Sequence, residues 1–126
     1  MTGRPLSALI VEDEYLIAEG LRFQLEDMGF SICGIASSAK AAVALAEAHK
    51  PDLVLMDMRL SGDEDGVDAA LAIHEKIGSK VIFVTGSREP STMERIAQDH
   101  PSCVLFKPIF GRQLQRAVEN ALESGC

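Results

Sequence analysis

Basic residues are scarce in this chain: 12 lysines and arginines stand against 19 aspartates and glutamates, a formal net charge of −7 over 126 residues. A nucleic-acid surface needs clustered Lys and Arg, so this balance argues against one and points to protein partners. No apolar run comes near the roughly 18 residues of a membrane helix. No signal-peptide core follows Met1, Thr2, Gly3, Arg4 and Pro5. The sequence therefore predicts no membrane partner and a cytoplasmic location. Cysteine is limited to Cys33, Cys103 and Cys126, an odd number without Cys-x-x-Cys spacing. That argues against a disulfide framework and predicts buried or idle thiols, with Cys126 the exposed one, able to link two chains under oxidising conditions. Linkers, repeats and low-complexity segments are also missing. A chain of this size with 47% hydrophobic residues can hide about two-thirds of its unfolded surface in one core. One domain over residues 1–126 is expected.

What is present is an alternation of short apolar runs with amphipathic stretches, the pattern of parallel strands joined by crossover helices in an α/β protein. The runs begin at Ala8, Ile32, Leu53, Val81 and Cys103 and end near Val11, Ala36, Met56, Val84 and Phe106. Between them, Ile17, Leu21, Leu25 and Met28 recur at helical spacing until Gly29. Ser37 or Ser38 can cap an alanine-rich helix from Ala39 to Ala48 that Pro51 ends. Asp65 can cap a third helix with Val67, Ala70, Leu71, His74 and Ile77 on one face and Gly78 after it. Ser91 and Glu94 have capping-box spacing for a fourth helix running to about Asp99 before Pro101, with few apolar anchors and expected mobility. The last helix places Phe110, Leu114, Ala117, Val118, Ala121 and Leu122 on one face.

The polar residues at the ends of the runs carry the chemistry. Glu12 and Asp13 close the first, Asp57 the third, Thr85 the fourth, and Lys107 with Pro108 the fifth. In an open parallel sheet, ligands collect beyond the carboxyl ends of the strands. With the first and third strands adjacent, the three acids would converge, and carboxylates about 4 Å apart repel by roughly 4 kcal/mol at an effective dielectric near 20. Mg2+ relieves that repulsion, being a hard cation that takes one or two carboxylates and otherwise prefers water and phosphate oxygens. Asp57 is the candidate nucleophile for phosphoryl transfer, with Glu12 and Asp13 on the metal and with Lys107 and Thr85 on phosphoryl oxygens. Pro108 favours a rigid turn that holds Lys107 in place.

Val11-Glu12-Asp13-Glu14, Leu55-Met56-Asp57, Thr85 and Lys107-Pro108, in this order and spacing, resemble the receiver domain of two-component response regulators over essentially the whole chain. The resemblance implies a flavodoxin-like (βα)5 sandwich with a parallel sheet in the order 2-1-3-4-5. It implies that Asp57 accepts phosphoryl from the phosphohistidine of a histidine kinase or histidine phosphotransferase. Glu12, Asp13, Asp57 and the backbone carbonyl of Arg59 would hold Mg2+, while Thr85 and Lys107 sense the phosphoryl group. Lys107 and Pro108 lie about 18 residues before the last residue, so no output domain is expected. Output would then be protein contact with a target or onward phosphotransfer by a monomer or weak homodimer. The chain would be no enzyme apart from its own phosphorylation and dephosphorylation. Phe83-Val84-Thr85-Gly86 resembles the Phe-Ala-Thr-Gly signature of a subgroup that often stands alone, from which Val84 and Ser87 depart. Val104 stands where many receivers carry an aromatic switch residue. Activation is therefore expected in residues 86–99, ordered on phosphorylation, and the exposed faces of the fourth and last helices are the expected partner or dimer surface. Arg59 and Ser87 fall where receivers tune the access of water.

Other readings fare worse. A phosphatase with an aspartate nucleophile usually carries an acid two residues later, where this chain has Arg59, and it needs a cap-sized insertion. A flavin module of similar fold would not place acids after its first strand. The run from Ser61 to Gly66 begins like a calcium loop, yet its twelfth position is Ala72 rather than a bidentate glutamate. His49, His74 and His100 show no zinc-ligand spacing, and Met56 and Met58 read as packing around Asp57.

Overall fold

The computed structural model describes residues 5–60, 62–86, 89–99, 103–109 and 111–123. Ser61, Ser87, His100, Pro101, Phe110 and Cys126, each given a part above, lie outside them. Strands β1 (Ser7–Val11), β2 (Ser31–Ala36), β3 (Leu53–Asp57), β4 (Lys80–Thr85) and β5 (Cys103–Phe106) alternate with helices α1 (Tyr15–Asp27), α2 (Ala39–His49), α3 (Gly66–Lys76), α4 (Pro90–Ala97) and α5 (Gly111–Glu123). The five strands are parallel in the order β2-β1-β3-β4-β5. This is the flavodoxin-like α/β sandwich expected from the sequence.

Strand residues alternate between two cores, as the period of two requires. Ala8, Ile10, Leu53, Leu55 and Ile82 face α1 and α5, where Leu21, Leu25, Leu114 and Val118 meet them. Leu9, Val11, Val54, Met56, Val81 and Phe83 face the other side, covered by Ala42 and Ala46 of α2, Ala70 and Ile73 of α3 and Ile96 of α4. Small alanines let α2 lie close to the sheet. The register of β1 on β2 steps from Ala8–Ile32 to Leu9–Gly34, which leaves Cys33 as the extra residue of a bulge. Cys33 is a free thiol whose pKa burial pushes up, as an idle thiol should be. Cys103 is disulfide-bonded, contrary to that expectation.

Local signals act largely as the sequence predicts. Gly29 and Gly78 follow α1 and α3 with φ of +98° and +84°, a conformation open to glycine at no steric cost. Ser38 accepts a hydrogen bond from the Ala41 amide. Asp65 caps α3 in a reciprocal box with Asp68. Two details differ. The buried face of α3 is Val67, Ala69, Ala70 and Ile73, with Ile77 packed against the same core, while Leu71 is exposed; Val67, Ala70 and Ile77 are placed as predicted, and the face extends toward Ala69 and Ile73 rather than Leu71. The fourth helix starts after Glu89 with Pro90 in its first turn and no side-chain cap, because proline already suits a position whose N–H has no partner.

His74 on this helix has a partner distant in sequence. Its Nδ1 lies 2.8 Å from Asp99 Oδ1 just beyond α4, and the Asp99 side chain is fully buried. The hydrogen bond to Asp99 raises the His74 pKa above its ordinary 6.5, against burial and the repulsion of Lys80. The charged pair therefore stabilises the fold fully below pH 6.5 and loses that contribution as pH rises through the folded-state value. The difference in urea midpoint between wild type and His74→Gln should be largest near pH 6 and shrink by pH 8. A difference independent of pH would refute the charged pair.

Candidate functional site

The carboxyl edge of the sheet brings the predicted residues together. β1 and β3 are neighbours with Val11 beside Met56, so the residues that follow, Glu12 and Asp13, sit next to Asp57. Glu12, Asp13 and Asp57 each bring a carboxylate oxygen within 4.8 Å of the other two. β4 ends at Thr85, beside Phe106 of β5. The Lys107 amide donates to the Thr85 carbonyl at 2.8 Å, extending that pairing by one residue. The Lys107–Pro108 peptide is cis. From this anchor the Lys107 ammonium reaches Glu12 Oε1 at 3.1 Å and Asp57 Oδ2 at 3.3 Å.

The three acids are not equivalent. Glu12 and Asp57 are buried, whereas Asp13 is exposed. Glu12 lies behind the other two: its amide donates to the Ala36 carbonyl at 2.8 Å, and its Oε2 accepts from the Glu14 amide. Burial, then the adjacent Asp57, raise the Glu12 pKa to about 7. Burial works against the Lys107 ammonium, but Asp57 and Glu12 outweigh it and hold its pKa above the ordinary value. One ammonium thus stands against three acids.

The donor set fits a hard divalent cation. Glu12 Oε1 is buried and receives no well-directed hydrogen bond, so an oxygen with spare lone pairs points toward a cluster holding excess negative charge. All three side-chain donors are oxygens, the ligands that Mg2+ takes, and Asp13 leaves the cluster open to water.

Asp13, Asp57, Arg59, Thr85 and Lys107 line an open cavity of about 730 Å³. Glu14, Met58, Gly86, Glu89 and Thr92 complete its wall. Glu89 and Thr92 carry no sequence signal for this position, because the placement of α4 beside the sheet's carboxyl edge brings them in. Val104 lies on β5 opposite Phe83 and packs against the core that holds Ile96. The backbone beneath Asp57 is tightly set: the Gly66 amide donates to the Met58 carbonyl at 2.9 Å. A Cβ at position 66 would lie 2.1 Å from the Asp57 carbonyl oxygen.

An α/β sheet with acids, a hydroxyl and an ammonium gathered at one strand edge is the architecture of a signalling receiver, and residues 8–119 match the response regulator receiver domain. The chain belongs to that family and to two-component signalling. It is 37% identical over 118 residues to the transcriptional regulatory protein PdtaR of Mycobacterium tuberculosis, covering 94% of this chain and 57% of that protein. It is 33% identical to the phyllosphere-induced regulator PhyR of Methylorubrum extorquens, covering 95% and 47%. The chain thus spans about half the length of these relatives, both named as regulators. Among solved structures, the receiver domain of a modulated diguanylate cyclase from Desulfovibrio desulfuricans superposes with a TM-score of 0.90 at 34% identity, over 97% of both chains. No helix among the described residues is long and apolar enough to cross a membrane.

The crowding of acids has a measurable cost. In metal-free buffer Asp57→Asn should stabilise the fold by about 1 kcal/mol, since it removes one of two buried like charges while Lys107 keeps Glu12. Mg2+ should raise the melting temperature of wild type more than that of the variant. A variant less stable than wild type in chelator would contradict this.

Proposed function

We propose that Asp57 is the phosphoacceptor of this receiver and takes a phosphoryl group from a phosphohistidine in a Mg2+-dependent reaction. The observation that carries the reading is the placement of Asp57. It is buried at the end of β3, 3.3 Å from an ammonium and grouped with two further acids, yet it opens into a cavity large enough for an incoming phosphoryl group.

A carboxylate oxygen of Asp57 attacks phosphorus, the phosphorus–nitrogen bond of the donor breaks, and its electron pair returns to the imidazole nitrogen, which then takes a proton. Lys107 holds Asp57 in place and neutralises charge on the arriving oxygens. Thr85 lies at the end of the neighbouring strand, where its hydroxyl can donate to another. Mg2+ bound by Glu12, Asp13, Asp57 and the Arg59 carbonyl would supply the remaining charge neutralisation. In the resulting acyl phosphate one Asp57 oxygen bridges to phosphorus. The module is no enzyme beyond this chemistry on itself, and residues 5–123 act as one receiver unit.

Intact-mass spectrometry after incubation with Mg2+ and acetyl phosphate should show one adduct of about 80 Da. The adduct should be absent without Mg2+ and in Asp57→Asn. An adduct that persists in Asp57→Asn would move the acceptor elsewhere.

The donor is a protein, and α1 offers it a surface. Leu16 and Phe23 are 82% and 73% exposed and, with Gly20, share one face of the helix. Beside them Leu16, Gly20, Gln24, Pro108 and Ile109 line a groove of about 460 Å³ that reaches Lys107. An exposed apolar row continuous with the site is a protein-contact surface, and a helix seated there would present its phosphohistidine to Asp57. Leu16→Asp should slow transfer from a phosphohistidine protein by about tenfold or more and leave the acetyl phosphate reaction unchanged. Equal slowing of both would place Leu16 in the site's structure rather than in docking.

A further inference from the structure

We propose that Glu14 is a specificity-determining residue of this receiver: at the cavity mouth it favours phosphodonors whose leaving atom is a positively charged nitrogen over donors that release an anion. This rests on the phosphoacceptor reading above and adds to it a means by which one donor class is told from another.

The cavity is graded from floor to mouth. Asp57 and Thr85 are buried, Lys107 is half-buried, and Asp13, Glu14 and Arg59 are exposed. In-line displacement puts the attacking oxygen and the leaving atom on opposite sides of phosphorus. With the nucleophile on the floor, the leaving atom emerges at the mouth. The exposed side chains there meet the leaving group.

Backbone contacts place Glu14 for this. Its amide donates to Glu12 Oε2 at 3.2 Å, and its carbonyl accepts from the Ala18 amide at 3.0 Å. Glu14 occupies the N-cap position of α1, yet its side chain makes no capping bond. The backbone is therefore held at the mouth, and the carboxylate is not spent on the helix. Asp13 belongs to the three-acid cluster, and Glu89 has an interaction of its own. Among the described residues, Glu14 and Arg59 are the exposed wall charges left to meet a leaving group, and their signs are opposite.

Donors differ at that atom. In each, a bond forms between an Asp57 oxygen and phosphorus while the bond from phosphorus to the leaving atom breaks, and the electron pair goes to the leaving atom. A phosphohistidine ring protonated on its second nitrogen starts with positive charge and departs as neutral imidazole. Phosphoramidate protonated on its nitrogen does the same and departs as ammonia. Acetyl phosphate instead starts neutral at its bridging oxygen and departs as acetate. In the transition state a nearby carboxylate attracts the first two leaving groups and repels the third. The selection is read in the ratio of second-order rate constants for the two kinds of donor.

The test follows adduct formation by mass with phosphoramidate and with acetyl phosphate at one Mg2+ concentration. Changes in folding, metal affinity or Asp57 reactivity act on both donors alike and cancel in the ratio of the two rate constants. Glu14→Gln should lower the phosphoramidate to acetyl phosphate ratio about threefold, and Arg59→Gln should raise it. Glu14→Asp, which keeps the charge, should stay near wild type. Raising KCl from about 50 mM to about 500 mM should shrink the Glu14→Gln effect. Glu75→Gln, an exposed acid of α3 outside the cavity wall, should match wild type. A ratio unchanged in Glu14→Gln, or lowered equally by Glu75→Gln, overturns the role of Glu14 and leaves Asp57 as the acceptor. A wild type phosphorylated by acetyl phosphate or a phosphohistidine protein but not by phosphoramidate overturns it too. No adduct on wild type from either small donor or from a phosphohistidine protein overturns the phosphoacceptor reading, and the role of Glu14 with it.

Discussion

Repulsion among three carboxylates governs the carboxyl edge of this sheet. The sequence places Glu12, Asp13 and Asp57 after strands that the core forces to be neighbours, and burial keeps Glu12 and Asp57 together. Lys107 offsets part of the cost from just beyond β5, and the Glu12 pKa still stands raised to about 7, by burial first and by Asp57 second. Folding energy from two apolar layers is thus stored as a site short of positive charge. That shortage of positive charge suits the cluster to a hard divalent cation.

The strands were legible because each apolar run is short, bounded and rich in Val, Ile and Leu, while their order in the sheet came from the family resemblance. The strand-end acids, Thr85 and Lys107 were legible for a related reason: polar residues that interrupt such runs mark the sheet's edge. Caps at Ser38 and Asp65 were readable from local chemistry. The burial of α3 was misjudged at Leu71 because Ala69 and Ile73 compete with it on an almost equally apolar helix, and only packing against the sheet decides between faces one residue apart. The cap of α4 was misread because Ser91 and Glu94 match a box pattern that Pro90 preempts.

Contacts between elements distant in sequence were invisible in the sequence. Arg95 meets Asp65 and Asp68 across 30 and 27 residues, and His74 meets Asp99 across 25. No periodicity encodes such pairs. Glu89 and Thr92 reach the cavity for the same reason, through the placement of α4 rather than through a motif. The exposed row of Leu16 and Phe23 is a different case, since it was present as spacing but overshadowed by the stronger stripe of Ile17, Leu21 and Leu25.

Gly66 has a consequence for how this protein can vary. Its α-carbon lies where the first turn of α3 meets the backbone of Asp57, with no room for even a methyl group. The distance between strand and helix is therefore set by backbone against backbone, and side chains elsewhere in the cores can exchange volume without altering it. Variation across a population of such sequences should spread freely through the alanines and aliphatics of both layers. At position 66 it should stop, since any added atom would wedge apart the two elements that meet at Asp57.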